Sequence, residues 1–164
     1  MTILKKNIKF LITLFILVGL SLYSNFAFSA GGFGGQDEVS LYKSGKKLVL
    51  RAKKLEEKDK VEKAKKLYLK AYDKFEKAYN KDKKNADILN YLGYTLRKTG
   101  NLEQAETYYL KGLELDSNHL GINEYLGELY VQTNRIELAK KRLEVLSGCN
   151  CEEYEELKEL IEKK

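Results

Sequence analysis

One motif, written twice at a fixed interval, constrains this chain more than any other feature. Tyr91-Leu92-Gly93 returns as Tyr125-Leu126-Gly127, Thr99 as Thr133, Glu103 as Glu137 and Ala105 as Ala139, each pair 34 positions apart. A period of this size belongs to stacked helical repeats, in which no unit can bury its apolar face alone. The chain has no proline in 164 residues, so nothing forces its helices to break early. An all-α fold follows.

The helix boundaries are written in the turn chemistry. Asn85 is placed to cap a helix from Ala86 to about Lys98, and Gly100 can take the left-handed conformation that ends it. Asn101 caps the next helix, which runs to about Leu115. The same grammar repeats: a helix from His119 or Leu120 to about Thr133, Asn134 in the turn, then a helix from Arg135 to Leu146. Before these, Val39 to Leu55 reads as a helix with one buried stripe, and Lys58-Asp59-Lys60 as a turn. Val61, Ala64, Leu67, Tyr68, Ala71, Tyr72, Phe75, Ala78 and Tyr79 then recur at three and four, the strongest helical pattern in the chain. Stepping back 34 from Ala105, Tyr109 and Gly112 gives Ala71, Phe75 and Ala78, which fit; stepping back from Gly93 gives Asp59, which does not. The earlier pair therefore reads as a degenerate unit.

These units resemble tetratricopeptide repeats, antiparallel helix pairs that stack into a right-handed superhelix. Leu89, Leu92, Gly93, Leu96, Ala105, Tyr109, Gly112 and Ser117 stand in the family's pattern in one copy. Asn123, Leu126, Gly127, Tyr130, Ala139, Leu143 and Leu146 stand there in the next. Gly93 and Ala105 would let the two helices of a unit approach closely, and Gly112 would let the next unit dock. Asn123 replaces a bulky residue and is expected to weaken one contact. Leu146 replaces a small one and is expected to end the stack. The organisation expected is a degenerate repeat at about 52–85, repeats at 86–119 and 120–153, and a cap helix at about 151–163, within a domain spanning 38–164.

Residues 1–29 read as a secretory signal peptide. Lys5, Lys6 and Lys9 form a positive start, and Phe10 to Leu20 an apolar run shorter than the roughly 20 residues of a spanning helix. Ala27-Phe28-Ser29 suits cleavage before Ala30; an uncleaved anchor in the inner membrane is the alternative. Gly31-Gly32-Phe33-Gly34-Gly35 makes 30–37 a flexible linker by composition. An exported protein of this kind, periplasmic or equivalent, is a poor match to chromosomal nucleic acid as partner and is permitted disulfides.

Charge divides the chain. The whole carries +6, but residues 41–85 carry +10 (17 Lys and Arg against 7 Asp and Glu) and residues 86–164 carry −5 (10 against 15). A basic end can meet anionic lipid or an acidic partner, or can simply be a solvated face. Cys149 and Cys151 are the only cysteines. Three readings stay open for them: a disulfide staple before the cap helix, a reduced pair, or a redox or Cu(I) site built from two thiolates. The tail Cys151-Glu152-Glu153-Tyr154 is also similar to that of small exported bacterial tetratricopeptide repeat proteins.

Enzyme chemistry has no support. The single histidine, His119, sits at a helix start, and there is no phosphate-binding glycine loop, His-Glu-x-x-His or Gly-x-Ser-x-Gly. No cofactor is expected. The resemblance implies a partner-binding groove lined by the first helix of each unit, here Asn90, Tyr94, Arg97 and Lys98, then Glu124, Glu128 and Val131. Asn90 and Tyr94 stand where a carboxylate clamp has Lys and Asn, and Glu124 and Glu128 would repel a carboxylate, so capture of a chain's C-terminus is not expected. The reading is a non-enzymatic interaction module or scaffold for another protein or peptide outside the cytoplasm. Its alternatives are a peripheral membrane-surface protein acting through the lysine-rich helices, and a thiol redox or Cu(I) carrier.

Overall fold

The computed structural model describes residues 33–164, so the expected signal peptide lies outside the described residues. Over them the chain forms seven helices and no strand. They are α1 (Phe33–Glu56), α2 (Val61–Tyr79), α3 (Ala86–Thr99), α4 (Leu102–Leu115), α5 (Leu120–Gln132), α6 (Ile136–Leu146) and α7 (Glu152–Glu162). The first six form three antiparallel pairs, and α7 packs on α5 and α6. Because α1 begins at Phe33, residues 33–37 of the expected linker are helical.

The helix ends follow side-chain chemistry. Asn85 Oδ1 accepts from the Ile88 N–H at 3.2 Å, and Asn101 Oδ1 from the Gln104 N–H at 3.3 Å. His119 uses Nδ1 in the same way, accepting from the Ile122 N–H at 3.2 Å. Gly100 closes α3 at φ 95°, and Asp59, Asn134 and Asn150 take the other left-handed turn positions. At the last junction Cys151 is the residue that precedes α7. Asn150 spends its tolerance of positive φ on the turn, and Glu152, Glu153 and Glu155 face the positive helix end.

Two glycines set the spacing inside the units. A Cβ on Gly93 would lie 2.5 Å from the Tyr109 ring, and a Cβ on Gly45 would lie 2.6 Å from the Phe75 ring. Both rings are fully buried. Gly45 is therefore the counterpart of Gly93, 48 residues earlier, whereas Phe75 precedes Tyr109 by 34. The difference of 14 residues lies between the paired helices, and it explains why the fixed step lands on Asp59. The first unit does not begin near residue 52, which falls inside α1. It is an elongated hairpin, with α2 running 14 residues from Val61 to Phe75 where α4 runs 7 from Leu102 to Tyr109. Seven extra residues lengthen a helix by about 10 Å. The extension is anchored next to its turn: the Tyr68 hydroxyl donates to Glu56 at 2.9 Å, and Lys98 from the next unit reaches the same carboxylate at 2.8 Å.

Asn123 is a further correction. It is fully buried, and its amide donates to the carbonyls of Ser117 and His119, each at 3.0 Å, while Arg142 donates to its Oδ1 at 3.3 Å. A satisfied buried amide ties the turn before α5 to α6 rather than weakening the unit. Leu146 is fully buried in the cluster that holds Leu157 of α7, so the stack closes with that helix. Cys149 and Cys151 are bonded to each other, with Cα atoms 5.2 Å apart, which leaves no thiolate pair for a soft metal.

Gly45→Ala and Gly93→Ala should each destabilise the fold by about 1–3 kcal/mol, because the new methyl overlaps a fully packed ring. Alanine on an open helix face would instead stabilise by roughly 0.5–1 kcal/mol. Thermal unfolding followed by circular dichroism reads the sign, and a raised midpoint for Gly45→Ala would remove it as the counterpart of Gly93.

Candidate functional site

The first helices of the pairs, α1, α3 and α5, share one face, and α7 completes it by folding back onto α5. That fold-back places Leu157 against Gly127 and brings Glu153 and Glu156 to the edge of the clefts on this face. The floor is aromatic. The Tyr42 and Tyr91 rings meet edge to face at 5.6 Å between centroids, Tyr91 stacks on Phe75 at 4.9 Å, and Tyr94 lies against Tyr125 at 4.8 Å. Burial pushes the phenols of Tyr42, Tyr91, Tyr94 and Tyr125 up from their ordinary value, so they stay neutral.

Three depressions open on this floor. A cleft of about 450 Å³ lies among Tyr42, Lys46, Asn90, Tyr91, His119 and Glu124. A second, of about 310 Å³, lies among Lys53, Glu56, Tyr94, Arg97, Glu128 and Glu156. Between them a pocket of about 60 Å³ is walled by Val49, Leu50, Tyr91, Tyr94 and Tyr125. Cations cover the rings. Lys46 Nζ sits 5.4 Å from the Tyr42 centroid and 5.7 Å from that of Tyr91, and Lys53 Nζ sits 5.3 Å from that of Tyr94. The Arg97 guanidinium lies 5.7 Å from both Tyr94 and Tyr125.

The residues expected to line a groove are on this face, but most are not free. Asn90, Tyr94, Glu124 and Val131 are buried, at 6%, 4%, 3% and 2% exposure. Arg97 pairs with Glu128 at 2.6 Å, and Lys98 with Glu56 at 2.8 Å. The Asn90 Oδ1 is buried without a hydrogen-bond partner. The open side chains of the groove come from residues the sequence pattern did not single out as a site. Tyr91 and Tyr125 are part of the repeated motif; Tyr42, Lys46 and Lys53 lie on the helix displaced by the 14-residue extension.

The α5–α7 end is acidic. Carboxylate oxygens of Glu124, Glu128 and Glu156 lie within 4.8 Å of one another. Arg97 neutralises Glu128. Burial, hydrogen bonding to Glu156 and the charges of Glu128, Glu156 and Glu153 push the Glu124 carboxyl up to about 9. The protonated form of Glu124 relieves the repulsion from Glu156 beside it on α7. Arg97 pairs with Glu128 in this cluster, and Glu156 has no ion-pair partner among the described residues.

Linkage gives this cluster a sign. The folded chain holds a proton on Glu124 that the unfolded chain releases near the ordinary carboxylate value of about 4.3, so stability falls as pH rises from there to about 9. Glu124→Gln should flatten that slope and raise stability at pH 8 by roughly 1 kcal/mol. Thermal midpoints measured from pH 5 to 9 test this; parallel curves for the two proteins would refute it.

A family model described as tetratricopeptide repeat matches residues 48–118. Solved structures share the fold. In the CopN–Scc3 complex the matching chain is 23% identical, with a TM-score of 0.56 over 85% of this chain and 78% of that one. The Sgt2 tetratricopeptide repeat domain from Aspergillus fumigatus is 15% identical, with a TM-score of 0.54 over 73% and 78%. The second such domain of human RPAP3, solved with the HSP70 peptide SGPTIEEVD, is 19% identical, with a TM-score of 0.51 over 77% and 99%. No curated protein matches the sequence. Period, helix pairing and the matched segment agree on a tetratricopeptide repeat architecture, with the family's own pattern matched over residues 48–118.

Proposed function

We propose that this protein is a non-enzymatic binding module that works outside the cytoplasm and holds an extended segment of another protein in the groove of α1, α3, α5 and α7. The observation that carries the reading is the aromatic floor of Tyr42, Tyr91, Tyr94 and Tyr125, flanked by clefts of about 450 and 310 Å³. A row of flat, neutral rings accepts side chains along its length, and phenol hydroxyls can meet peptide N–H and C=O groups. The human RPAP3 neighbour, solved with a peptide, supports the reading as an analogy of fold. Export rests on the leader sequence at 1–29, and the disulfide suits an oxidising compartment.

Crosslinking and mass spectrometry on the native envelope fraction should join a partner to Lys46 and Lys53, which line the groove, in preference to Lys111 and Lys140 on α4 and α6. Tyr91→Ala with Tyr125→Ala should reduce the crosslinked species at least tenfold; unchanged recovery would sink the groove. Export is tested by fractionation. The chain should be found outside the cytoplasm with a mass lacking residues 1–29, and full-length protein in the cytosol would overturn that part.

A further inference from the structure

The charges on this groove are not equally available. Four cations line it, and two are already neutralised, Arg97 by Glu128 and Lys98 by Glu56. Lys46 and Lys53 have no carboxylate partner among the described residues, and both are exposed. They stand on one wall, α1, seven residues and so about two turns apart, on the same side of the helix. On that wall between them lies Leu50, 58% exposed, which places an apolar side chain at the mouth of the 60 Å³ pocket. Carboxyls stand in the flanking clefts, Asp87, Asp116, Glu124 and Glu153 in the larger and Glu56, Glu57, Glu128 and Glu156 in the smaller, whereas none lines the 60 Å³ pocket between Lys46 and Lys53.

The size of the pocket narrows its content. A cavity of ~150 Å³ takes a benzene ring, and one water has a share of ~30 Å³. About 60 Å³ admits the branched tip of an aliphatic side chain but not an aromatic ring. Val49, Leu50 and the rings of Tyr91, Tyr94 and Tyr125 offer that tip apolar contact, while the ammonium groups of Lys46 and Lys53 stand over Tyr91 and Tyr94 at the rim.

We propose that the groove selects an internal acidic segment of its partner, in which a Leu, Ile or Val anchor enters the pocket between Val49 and Tyr125 and flanking Asp or Glu side chains pair with Lys46 and Lys53. The proposal rests on the groove reading and specifies the partner's chemistry. The recognised carboxylates are side-chain groups rather than a chain terminus, because the groove's cations without a carboxylate partner among the described residues, Lys46 and Lys53, lie along α1 and not around a single point. Unpaired lysines at a rim also raise the association rate for an acidic partner and make it salt-dependent.

Random peptides displayed on phage through their C-termini, with no free carboxylate, are the probe. Panned on the full chain, they should enrich for acidic sequences carrying an aliphatic residue. A synthetic peptide from that set, C-terminally amidated, should bind with unchanged affinity relative to its free acid, and its affinity should fall with added salt. Lys46→Glu with Lys53→Glu should weaken it at least tenfold, as should Leu50→Asp, whose exposed position spares the fold. Lys65→Glu with Lys66→Glu, on α2 away from the groove, should not. Enrichment of basic or aromatic peptides, or binding that survives charge reversal at Lys46 and Lys53, overturns this proposal and leaves the groove intact. Enrichment of no peptide at all overturns the groove reading as well.

Discussion

The stack depends on helices brought closer than side chains normally allow. Tyr109 lies flat against the backbone at Gly93, and Phe75 lies against Gly45, with no room for a methyl in either place. Each ring fills the gap between its paired helices and is fully buried there. Closeness inside a pair determines where the next pair can dock, so these contacts position α1, α3 and α5 side by side. The aromatic floor is a consequence. Tyr91 and Tyr94 sit on either side of Gly93 along α3, near enough to its axis that their rings meet Tyr42 and Tyr125 on neighbouring helices.

Polar chemistry is distributed in a complementary way. The backbone needs of the helix ends are met locally by Asn85, Asn101 and His119, while the groove is tied across units by ion pairs, Lys98 to Glu56 and Arg97 to Glu128. Partly buried pairs of this kind contribute modestly to stability and more to fixing one arrangement. Their effect here is to spend most of the groove's charge internally. What remains outward is positive along α1 and carboxylic at α7, which turns the charge asymmetry of the sequence into a polarity of one surface.

How much of this could be read in advance depended on distance along the chain. The turn residues act on neighbours two or three positions away, so Asn85, Gly100 and Asn101 were legible, and the helices they bound were placed within a residue or two. The period revealed Gly93 and Ala105 as packing positions because they recur. Gly45 was hidden, since 14 residues intervene before its partner helix resumes the pattern. Asn123 was misjudged because its partner Arg142 lies on another helix, 19 residues on, and residue type alone says nothing of such a tie. The contribution of Glu153 and Glu156 was illegible for the same reason: it exists only because α7 reverses onto α5. The expected lining residues Asn90, Tyr94 and Glu124 lie on the right face but are buried into it, since a position on a helix does not say how deeply the neighbouring helix covers it.

The long first hairpin carries a consequence of its own. Along α2 the excess over the other units is seven residues, about two helical turns, so Ala64 and Tyr68 prolong the same stripe as Ala71 and Phe75 instead of rotating away from it. A hairpin lengthened in whole turns leaves the docking of every later helix untouched. Its tip stays tied to the stack, because Glu56 at the end of α1 pairs with Lys98 of the next unit, so the two added turns carry the α1 wall about 10 Å further along the floor.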